Sequence, residues 1–294
     1  MQSNKERTWL LNEKYSGVET PAFRTDLKRL ERGEPLAYII GWVDFLGCRI
    51  DLSARPLIPR PETEFWVEQA MAEVTSGQWL VASRKNSLKI LDLFAGSGCI
   101  GIALLKHLPN AMVDFGEKDP RLCKQIEKNI ALNAIDPKRT RVIQTDVFSN
   151  ITCDLGPPQM DEIRGAGKAT RKTYSYMLTE VQGPRNKEVR HLRRSSDYIF
   201  ANPPYIDPTK KKTVQDSVLL HEPHEALFAG DDGLAFIKKL LAEGSAHLKA
   251  GGTMYIEFGA GQKRVISVIA KKHGWKSEFH KDQFGKWRAV MLKK

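Results

Sequence analysis

The sequence predicts an α/β protein with a doubly wound sheet of seven strands. Short apolar runs of strand length alternate with segments whose apolar residues recur at helical spacing, and a glycine-rich turn joins the first run of this alternation to its helix. Two further strand-like runs follow each other at the end of the chain. Regular alternation of strands and helices is typical of a sheet with helices on both faces.

The first strand, turn and helix of this alternation form a ligand-binding pattern. An apolar run over 89–93 leads into a glycine turn, and a helical pattern follows over 99–108. Glycines let the backbone approach a ligand closely, and a helix start offers unpaired N–H groups. Gly96, Gly98 and Gly101 also fit the spacing of dinucleotide sites, so the turn alone leaves NAD and S-adenosylmethionine open. The candidate cofactor-binding residues here are Asp92, Phe94, Ala95, Gly96, Ser97 and Gly98.

An acidic residue follows each of the next two predicted strands. Glu117 ends the run over 112–116, where a ribose diol is usually held. Asp146 follows the run over 141–144 and is a candidate acceptor for an adenine amino group, with Val147 and Phe148 as candidate walls for the ring. For either acid taken singly, an ordinary solvated loop carboxylate is the alternative.

An Asn-Pro-Pro-Tyr loop follows the apolar run over 198–201. The side-chain oxygen of Asn202 and the carbonyl of Pro203 are placed to accept the two N–H groups of a planar nitrogen, which orients its lone pair and stabilises developing positive charge. Pro204 stiffens the loop, and the ring of Tyr205 suits the flat face of a substrate. The loop therefore predicts methylation of an amide or amino nitrogen, whereas a turn that merely closes a strand is the alternative.

Together these motifs resemble the S-adenosylmethionine-dependent methyltransferases, and within them the bacterial PrmC/HemK family, which methylates a glutamine of a peptide-chain release factor. The resemblance covers roughly residues 33 to 294. It rests on the segments 33–41, 57–64, 92–98, 202–205, 222–227, 233–234 and 257–262.

The resemblance implies a fold, a cofactor and a substrate. The fold is the Rossmann-like class I methyltransferase sheet with its last strand antiparallel, the cofactor is S-adenosylmethionine, and the partner is a release factor whose glutamine is methylated at N5 in translation termination. Asn202, Pro203 and Tyr205 are then catalytic, Asn202 also borders the cofactor, and Arg60, Glu62 and the 202–205 loop bind substrate. Pro61 and the neighbouring acids also suit a simple helix start.

Two other functions remain open at this point. Adenine-N6 methylation of DNA or RNA uses the same loop, but it normally needs a target-recognition region. A noncatalytic, nucleic-acid-binding relative is the second alternative, and the intact Asp92, Gly96, Gly98, Glu117 and Asn202 argue against it.

The sequence departs from the family pattern in its organisation. We expect a truncated N-terminal helical segment with a connecting hairpin over 1–56 and the methyltransferase domain over 57–294. A basic insertion over 155–196 carries nine Lys or Arg against four Asp or Glu and shows no periodicity, so we expect a disordered surface loop. Weak attraction to nucleic acid is its functional interpretation, and a solvated loop is the alternative.

Composition excludes several classes of protein. The chain has 294 residues, a formal net charge of +11 and no apolar run near the roughly 18 residues that span a bilayer, so we expect no membrane insertion. Its four cysteines lack C-x-x-C spacing, which predicts free thiols and no metal site. We expect a monomer. Family resemblance and the irregular insertion favour mitochondria, with the cytoplasm as the alternative.

Overall fold

The computed structural model of the chain describes residues 2–76, 87–151, 195–230 and 232–294. It opens with three helices, α1 (Gln2–Tyr15), α2 (Pro21–Glu31) and α3 (Leu36–Ile40). Leu10, Phe23 and Ile39 are buried between them. Helix α2 begins where Pro21 occupies its first turn and the Thr20 hydroxyl accepts a hydrogen bond from the backbone N–H of Phe23, which caps the helix.

A short antiparallel hairpin connects these helices to the main sheet. Its strands are β1 (Trp42–Phe45) and β2 (Cys48–Asp51). Phe45, Cys48 and Ile50 are buried in the same core as the helices of the main sheet. The division of the chain at residue 56 stays a prediction.

The main sheet has the seven strands that the sequence predicts. They are β3 (Leu88–Leu93), β4 (Ala111–Glu117), β5 (Thr140–Gln144), β6 (Ser196–Ala201), β7 (Leu248–Glu257), β8 (Lys276–Lys281) and β9 (Trp287–Lys293). Their order is β5-β4-β3-β6-β7-β9-β8, and only β9 runs antiparallel to its neighbours. The doubly wound fold and its antiparallel last strand are thereby confirmed.

Helices cover both faces of this sheet. The described helices that follow the hairpin are α4 (Pro61–Ser76), α5 (Cys99–His107), α6 (Pro120–Leu132), α7 (Asp216–His221), α8 (Ala235–Glu243) and α9 (Lys263–Lys272). Side chains of α4, α5 and α6 join one apolar core with Ile90 and Phe200, whereas those of α8 and α9 join a second core with Leu91 and Ile199. Consecutive strand residues thus point to opposite faces, as the pleat requires.

The predicted basic insertion falls almost wholly between the described parts of the chain. Residues 152–194 lie outside them, so the expected disorder of this segment stays a prediction. Its predicted end is one residue too late, because Ser196 already pairs with Leu248 as the first residue of β6. Over the described ranges, no helix combines the length and apolar content needed to cross a membrane.

Register places the predicted motifs side by side. Leu93 of β3 pairs with Ala201 of β6, and Ala201 pairs with Ile256 of β7. Phe94 and Asn202 follow β3 and β6, and Glu257 is the last residue of β7, so the three residues lie along one edge of the sheet. Chain order reverses between β3 and β6, and this switch point at the carboxyl ends of strands is where open α/β sheets bind ligands.

Candidate functional site

The glycine turn after β3 adopts a backbone that brings its peptide groups to the sheet edge. Phe94, Gly96 and Gly98 have φ angles of 57°, 56° and 79°. These left-handed values suit glycine and are uncommon for phenylalanine, so strain is concentrated at the turn. A Cβ built on Gly96 would meet only the Phe94 carbonyl oxygen, at 3.9 Å, so the turn leaves open space in front of it.

Gly101, near the start of α5, lets this helix pack closely against the sheet. A Cβ at this position would lie 2.3 Å from the Phe115 ring and 3.0 Å from an oxygen of Asp92. Only glycine lets α5 approach the sheet this closely. Its backbone N–H donates to Asp92 Oδ2 at 2.9 Å, so the third glycine of the dinucleotide-like spacing holds the helix against β3.

Asp92 is a buried carboxyl group at the end of β3. Its Oδ1 atom has no hydrogen-bond partner among the described residues. Burial raises the pKa of Asp92 to about 7, and the nearby Glu117 carboxylate acts in the same direction. A buried polar atom without a partner costs about 1–3 kcal/mol and points to a functional demand on its position.

Glu117 links the end of β4 to the glycine turn. One of its oxygens, Oε2, accepts the backbone N–H of Gly96 at 2.8 Å, and Oε1 accepts those of Lys118 and Asp119 at 2.7 and 2.9 Å. The side chain is buried, yet Oε2 keeps one acceptor position for a ligand hydroxyl. The carboxylate is therefore positioned by the same turn that is predicted to bind the cofactor.

The segment after β5 holds the remaining predicted cofactor residues. Asp146 is exposed and lies 3.5 Å from the Lys118 ammonium group. Val147 is buried and has a φ of 58°, which is strained for a β-branched residue. Phe148 is buried and stacks on the His247 ring with centroids 4.0 Å apart. The contacts of this segment with adenine stay predictions.

These residues fit S-adenosylmethionine. The strands β3, β4 and β5 are adjacent in the sheet. The open glycine turn follows β3, the buried Glu117 carboxylate ends β4, and the exposed Asp146 follows β5, all at one edge of the sheet. Backbone N–H groups at a helix start and a carboxylate for the ribose are the groups that a nucleoside-bearing cofactor needs.

A pocket beside this edge brings together three of the residues predicted to bind substrate or catalyse transfer. Arg60, Asn202 and Tyr205 contribute to its wall, whereas Glu62, in the first turn of α4, is absent from the part of the wall that the described residues form. Pro203 and Pro204 are buried between Asn202 and Tyr205. The described lining is Leu57, Arg60, Asn202, Tyr205, Ile206, Val218, Ala226, Leu227 and Glu257.

The side chain of Asn202 has one hydrogen-bonded end and one open end. Its Nδ2 donates to the Thr63 hydroxyl oxygen at 3.4 Å. Within the described ranges, no group donates to Asn202 Oδ1 or to the Pro203 carbonyl oxygen. The loop thus presents two acceptors to which none of the described residues donates, and their role in binding a substrate stays a prediction.

The Tyr205 hydroxyl is held on two sides. It donates to Glu257 Oε1 at 3.0 Å and lies 3.5 Å from Arg288 Nη1. Burial raises the pKa of Tyr205, and the Glu257 carboxylate raises it further. The main-chain carbonyl of Tyr205 accepts from Gln262 Nε2 at 2.9 Å, so both ends of the residue are fixed.

Sequence reasoning gave no role to four residues that hold this loop. Thr63, Glu257, Gln262 and Arg288 each contact it directly. The first three lie in the segments 57–64 and 257–262, which carry the family resemblance, so a signal for them was present. Arg288 lies in a strand pattern and had no such signal.

Arg60 forms an ion pair with a buried partner. Its Nη2 donates to Glu222 Oε1 at 2.5 Å, and the backbone N–H of Ile58 donates to Glu222 Oε2 at 3.1 Å. The Glu222 side chain is 1% exposed and that of Arg60 is 34% exposed. Helix α4 begins at Pro61 immediately after Arg60, so the segment is also the helix start that its sequence suggests.

Comparisons with known proteins show similarity to methyltransferases. A family model described as a methyltransferase small domain matches residues 75–155. A release factor glutamine methyltransferase of Lactococcus lactis is 30% identical over 286 residues, which are 97% of this chain and 86% of that protein. One of Clostridium botulinum is 30% identical over 88% of this chain and 76% of its own length.

Solved structures share the fold at low sequence identity. The hMettl16 catalytic domain, solved with the MAT2A 3′UTR hairpin 6, aligns with a TM-score of 0.52 at 13% identity, over 84% of this chain and 76% of its own. A human methyltransferase 10 domain containing protein aligns with a TM-score of 0.50 at 12% identity, over 84% and 88% of the two chains. With a near full-length relative at 30% identity, this chain belongs to the release factor glutamine methyltransferase family.

Proposed function

We propose that this protein methylates the side-chain nitrogen, N5, of a glutamine in a peptide-chain release factor, with S-adenosylmethionine as methyl donor. The observation that carries the proposal is that no group of the described residues donates to Asn202 Oδ1 or to the Pro203 carbonyl, and that Asn202 lines a pocket. Relatives of near full length that carry the name of this activity support it.

The glycine turn predicted to bind the cofactor follows β3, which pairs with the strand before the Asn202 loop. Phe94 to Gly98 would surround the cofactor with backbone, Glu117 would bind its ribose, and Asp146 and Val147 would border its adenine. When bound, S-adenosylmethionine would supply a methyl group on a sulfonium, and the neutral thioether released as the carbon–sulfur bond breaks is a good leaving group.

The protein's part in the chemistry is to orient an amide. An amide nitrogen delocalises its lone pair into the carbonyl and is a poor nucleophile. If Asn202 Oδ1 and the Pro203 carbonyl each accept one N–H, the two bonds fix the nitrogen and stabilise the positive charge that develops on it. The Tyr205 ring covers the flat face of the amide, held in place through its hydroxyl.

This proposal is tested with labelled S-adenosylmethionine and three candidate acceptors. The acceptors are a recombinant release factor, the same factor with its substrate glutamine replaced by alanine, and duplex DNA. We expect label in the first acceptor only. Transfer to DNA but not to the factor would instead support adenine methylation, and transfer to neither would support a noncatalytic relative.

We also propose that the protein acts as a monomer in mitochondria. Family resemblance and the irregular basic insertion support the compartment. Imaging of the tagged full-length protein tests the location, and light scattering at micromolar concentration tests the oligomeric state. A cytosolic signal would overturn the first statement, and the mass of a dimer the second.

A further inference from the structure

We propose that Glu257 is a positioning residue, which acts through the Thr63 hydroxyl to set the orientation of the Asn202 side-chain amide. In this orientation Asn202 Oδ1, and not Nδ2, is available to the substrate amide. The inference deepens the proposed function and rests on it, since it concerns how the same pocket recognises an N–H donor.

Glu257 is the centre of a buried hydrogen-bond network at the end of β7. It is 2% exposed. Its Oε2 atom accepts from Thr63 Oγ1 and from Trp66 Nε1, both at 2.7 Å, and its Oε1 accepts from the Tyr205 hydroxyl at 3.0 Å. Thr63 and Trp66 lie three residues apart on α4, so one face of that helix contacts the carboxylate.

The donors around Glu257 determine the direction of each bond. An indole N–H only donates, so Trp66 requires an acceptor at Oε2. Arg288 Nη1, which also only donates, lies 3.5 Å from the Tyr205 hydroxyl oxygen, so Tyr205 directs its own proton to Oε1. Burial raises the pKa of Glu257, while the hydrogen bonds from Thr63 and Trp66 oppose that rise and stabilise the ionised form.

The direction of the Thr63 bond then decides the orientation of Asn202. A hydroxyl has one proton, and Thr63 gives it to Glu257, so Thr63 Oγ1 can only accept from Asn202. Asn202 must therefore turn its Nδ2 toward Thr63. Because the amide is planar, its Oδ1 is then on the opposite side. The reversed amide would place an N–H group against the substrate N–H.

Strand register explains why the network includes an intermediary. Ala201 pairs with Ile256, so Asn202, which follows β6, and Glu257, which ends β7, are neighbours, and both line the pocket. No hydrogen bond joins them directly within the described residues. Thr63 of α4 joins them instead, which couples the Asn202 amide to a carboxylate that the substrate need not touch.

The matched test uses Thr63→Val, which keeps the shape and loses the hydroxyl, and Thr63→Ser, which keeps the hydroxyl. Thr75→Val, at an exposed position of the same helix, controls for the substitution itself. With a recombinant release factor as substrate, we expect Thr63→Val to lower kcat by about 10- to 100-fold with KM and cofactor affinity nearly unchanged, the scale of one misdirected polar contact. Thr63→Ser should recover most of the rate.

A double-mutant cycle separates positioning from a merely structural role. If Thr63 acts through Asn202, Thr63→Val should have no further effect on kcat in an Asn202→Ala background. Glu257→Met, which removes the oxygen that accepts from Thr63, should show the same loss and the same lack of additivity, and thermal unfolding of each variant confirms the fold. A wild-type rate for Thr63→Val, or a full additional loss in the Asn202→Ala background, would overturn the inference. If the wild-type enzyme leaves the release factor unmethylated, the proposed function fails and this inference with it.

Discussion

At the scale of single residues, Glu117 at the end of β4 accepts three backbone N–H groups, one from the glycine turn after β3 and two from the residues that follow β4. Glu117→Gln keeps its shape but removes the charge that a ribose hydroxyl would bond to. Hydrogen bonds to a charged group contribute about 1.5–3 kcal/mol, so we expect affinity for S-adenosylmethionine to fall about 10- to 100-fold in calorimetry.

Glu127→Gln is the matched control for this change, because Glu127 is an exposed acid on the helix that follows β4. It should bind the cofactor like the wild type. Equal affinity in both variants would remove Glu117 from the cofactor site, and tight binding of NAD by the wild type would overturn the identity of the cofactor.

Asp92 makes the stability of the ligand-free protein depend on pH. Its pKa is about 7 in the folded protein against an ordinary value of 3.8. Between these values the folded state holds a proton that the unfolded state has released, so this group's contribution to stability falls as pH rises and levels off above the folded pKa. The expected slope is about 1.4 kcal/mol per pH unit at most.

The measurement compares urea unfolding of the wild type and Asp92→Asn from pH 4.5 to 8. Asparagine does not titrate, so its packing penalty is the same at every pH, and the difference between the two proteins isolates Asp92. We expect the free energy of unfolding of Asp92→Asn to increase relative to that of the wild type as the pH rises to about 7. If the free energies of unfolding of the two proteins change with pH in parallel, Asp92 is ionised in the folded protein throughout this range.

At the scale of elements, the Arg60–Glu222 ion pair fastens the segment before α4 to the segment after α7. Arg60→Ala leaves a buried carboxylate whose one remaining hydrogen bond from the described residues is that of the Ile58 N–H. Losing one member of a buried pair costs about 3–5 kcal/mol, and because Arg60 is a third exposed we expect about 2–3 kcal/mol in urea unfolding.

Two further variants make this prediction specific. Adding Glu222→Gln to Arg60→Ala should recover part of the loss, since the unpaired charge is gone. Lys238→Ala breaks an exposed pair with Asp232 and should cost less than about 1 kcal/mol. If Arg60→Ala costs no more than Lys238→Ala, the pair does not fasten these segments.

Periodicity and turn chemistry were enough to predict most of the elements. Asp119 caps α6 and Pro120 occupies its first turn, as the Asp-Pro pair indicates. What periodicity could not show is which elements meet across the sheet. Thr63, Tyr205 and Glu257 are far apart in sequence, and their contacts arise from strand order and from the packing of α4, which no local pattern encodes.

At the scale of the whole molecule, the basic insertion interrupts the chain between β5 and β6. Deletion of residues 157–194 should leave a folded enzyme, since a polar segment rich in Gly and Pro contributes little core. We expect cooperative unfolding and methyl transfer to the release factor to persist, while any affinity for RNA falls with a shallower salt dependence.

Loss of cooperative unfolding on this deletion would show that the segment is structural.

The sequence predicted the approximate limits of the basic insertion but not its position in the fold. Composition identifies a segment as polar, but it does not show which part of the fold that segment contacts. The glycine turn after β3 differs, since its glycine spacing and the adjacent strand predicted its location between β3 and α5.

The central claim is that Asn202 orients the substrate amide, and single-turnover methyl transfer to a release factor at saturating S-adenosylmethionine tests it most directly. Asn202→Ala removes one preorganised acceptor, so we expect the transfer rate to fall by about two to three orders of magnitude with cofactor affinity nearly intact. Asn202→Asp keeps an acceptor and should recover part of the rate. Transfer by Asn202→Ala at the wild-type rate would contradict the account and leave the loop a structural turn.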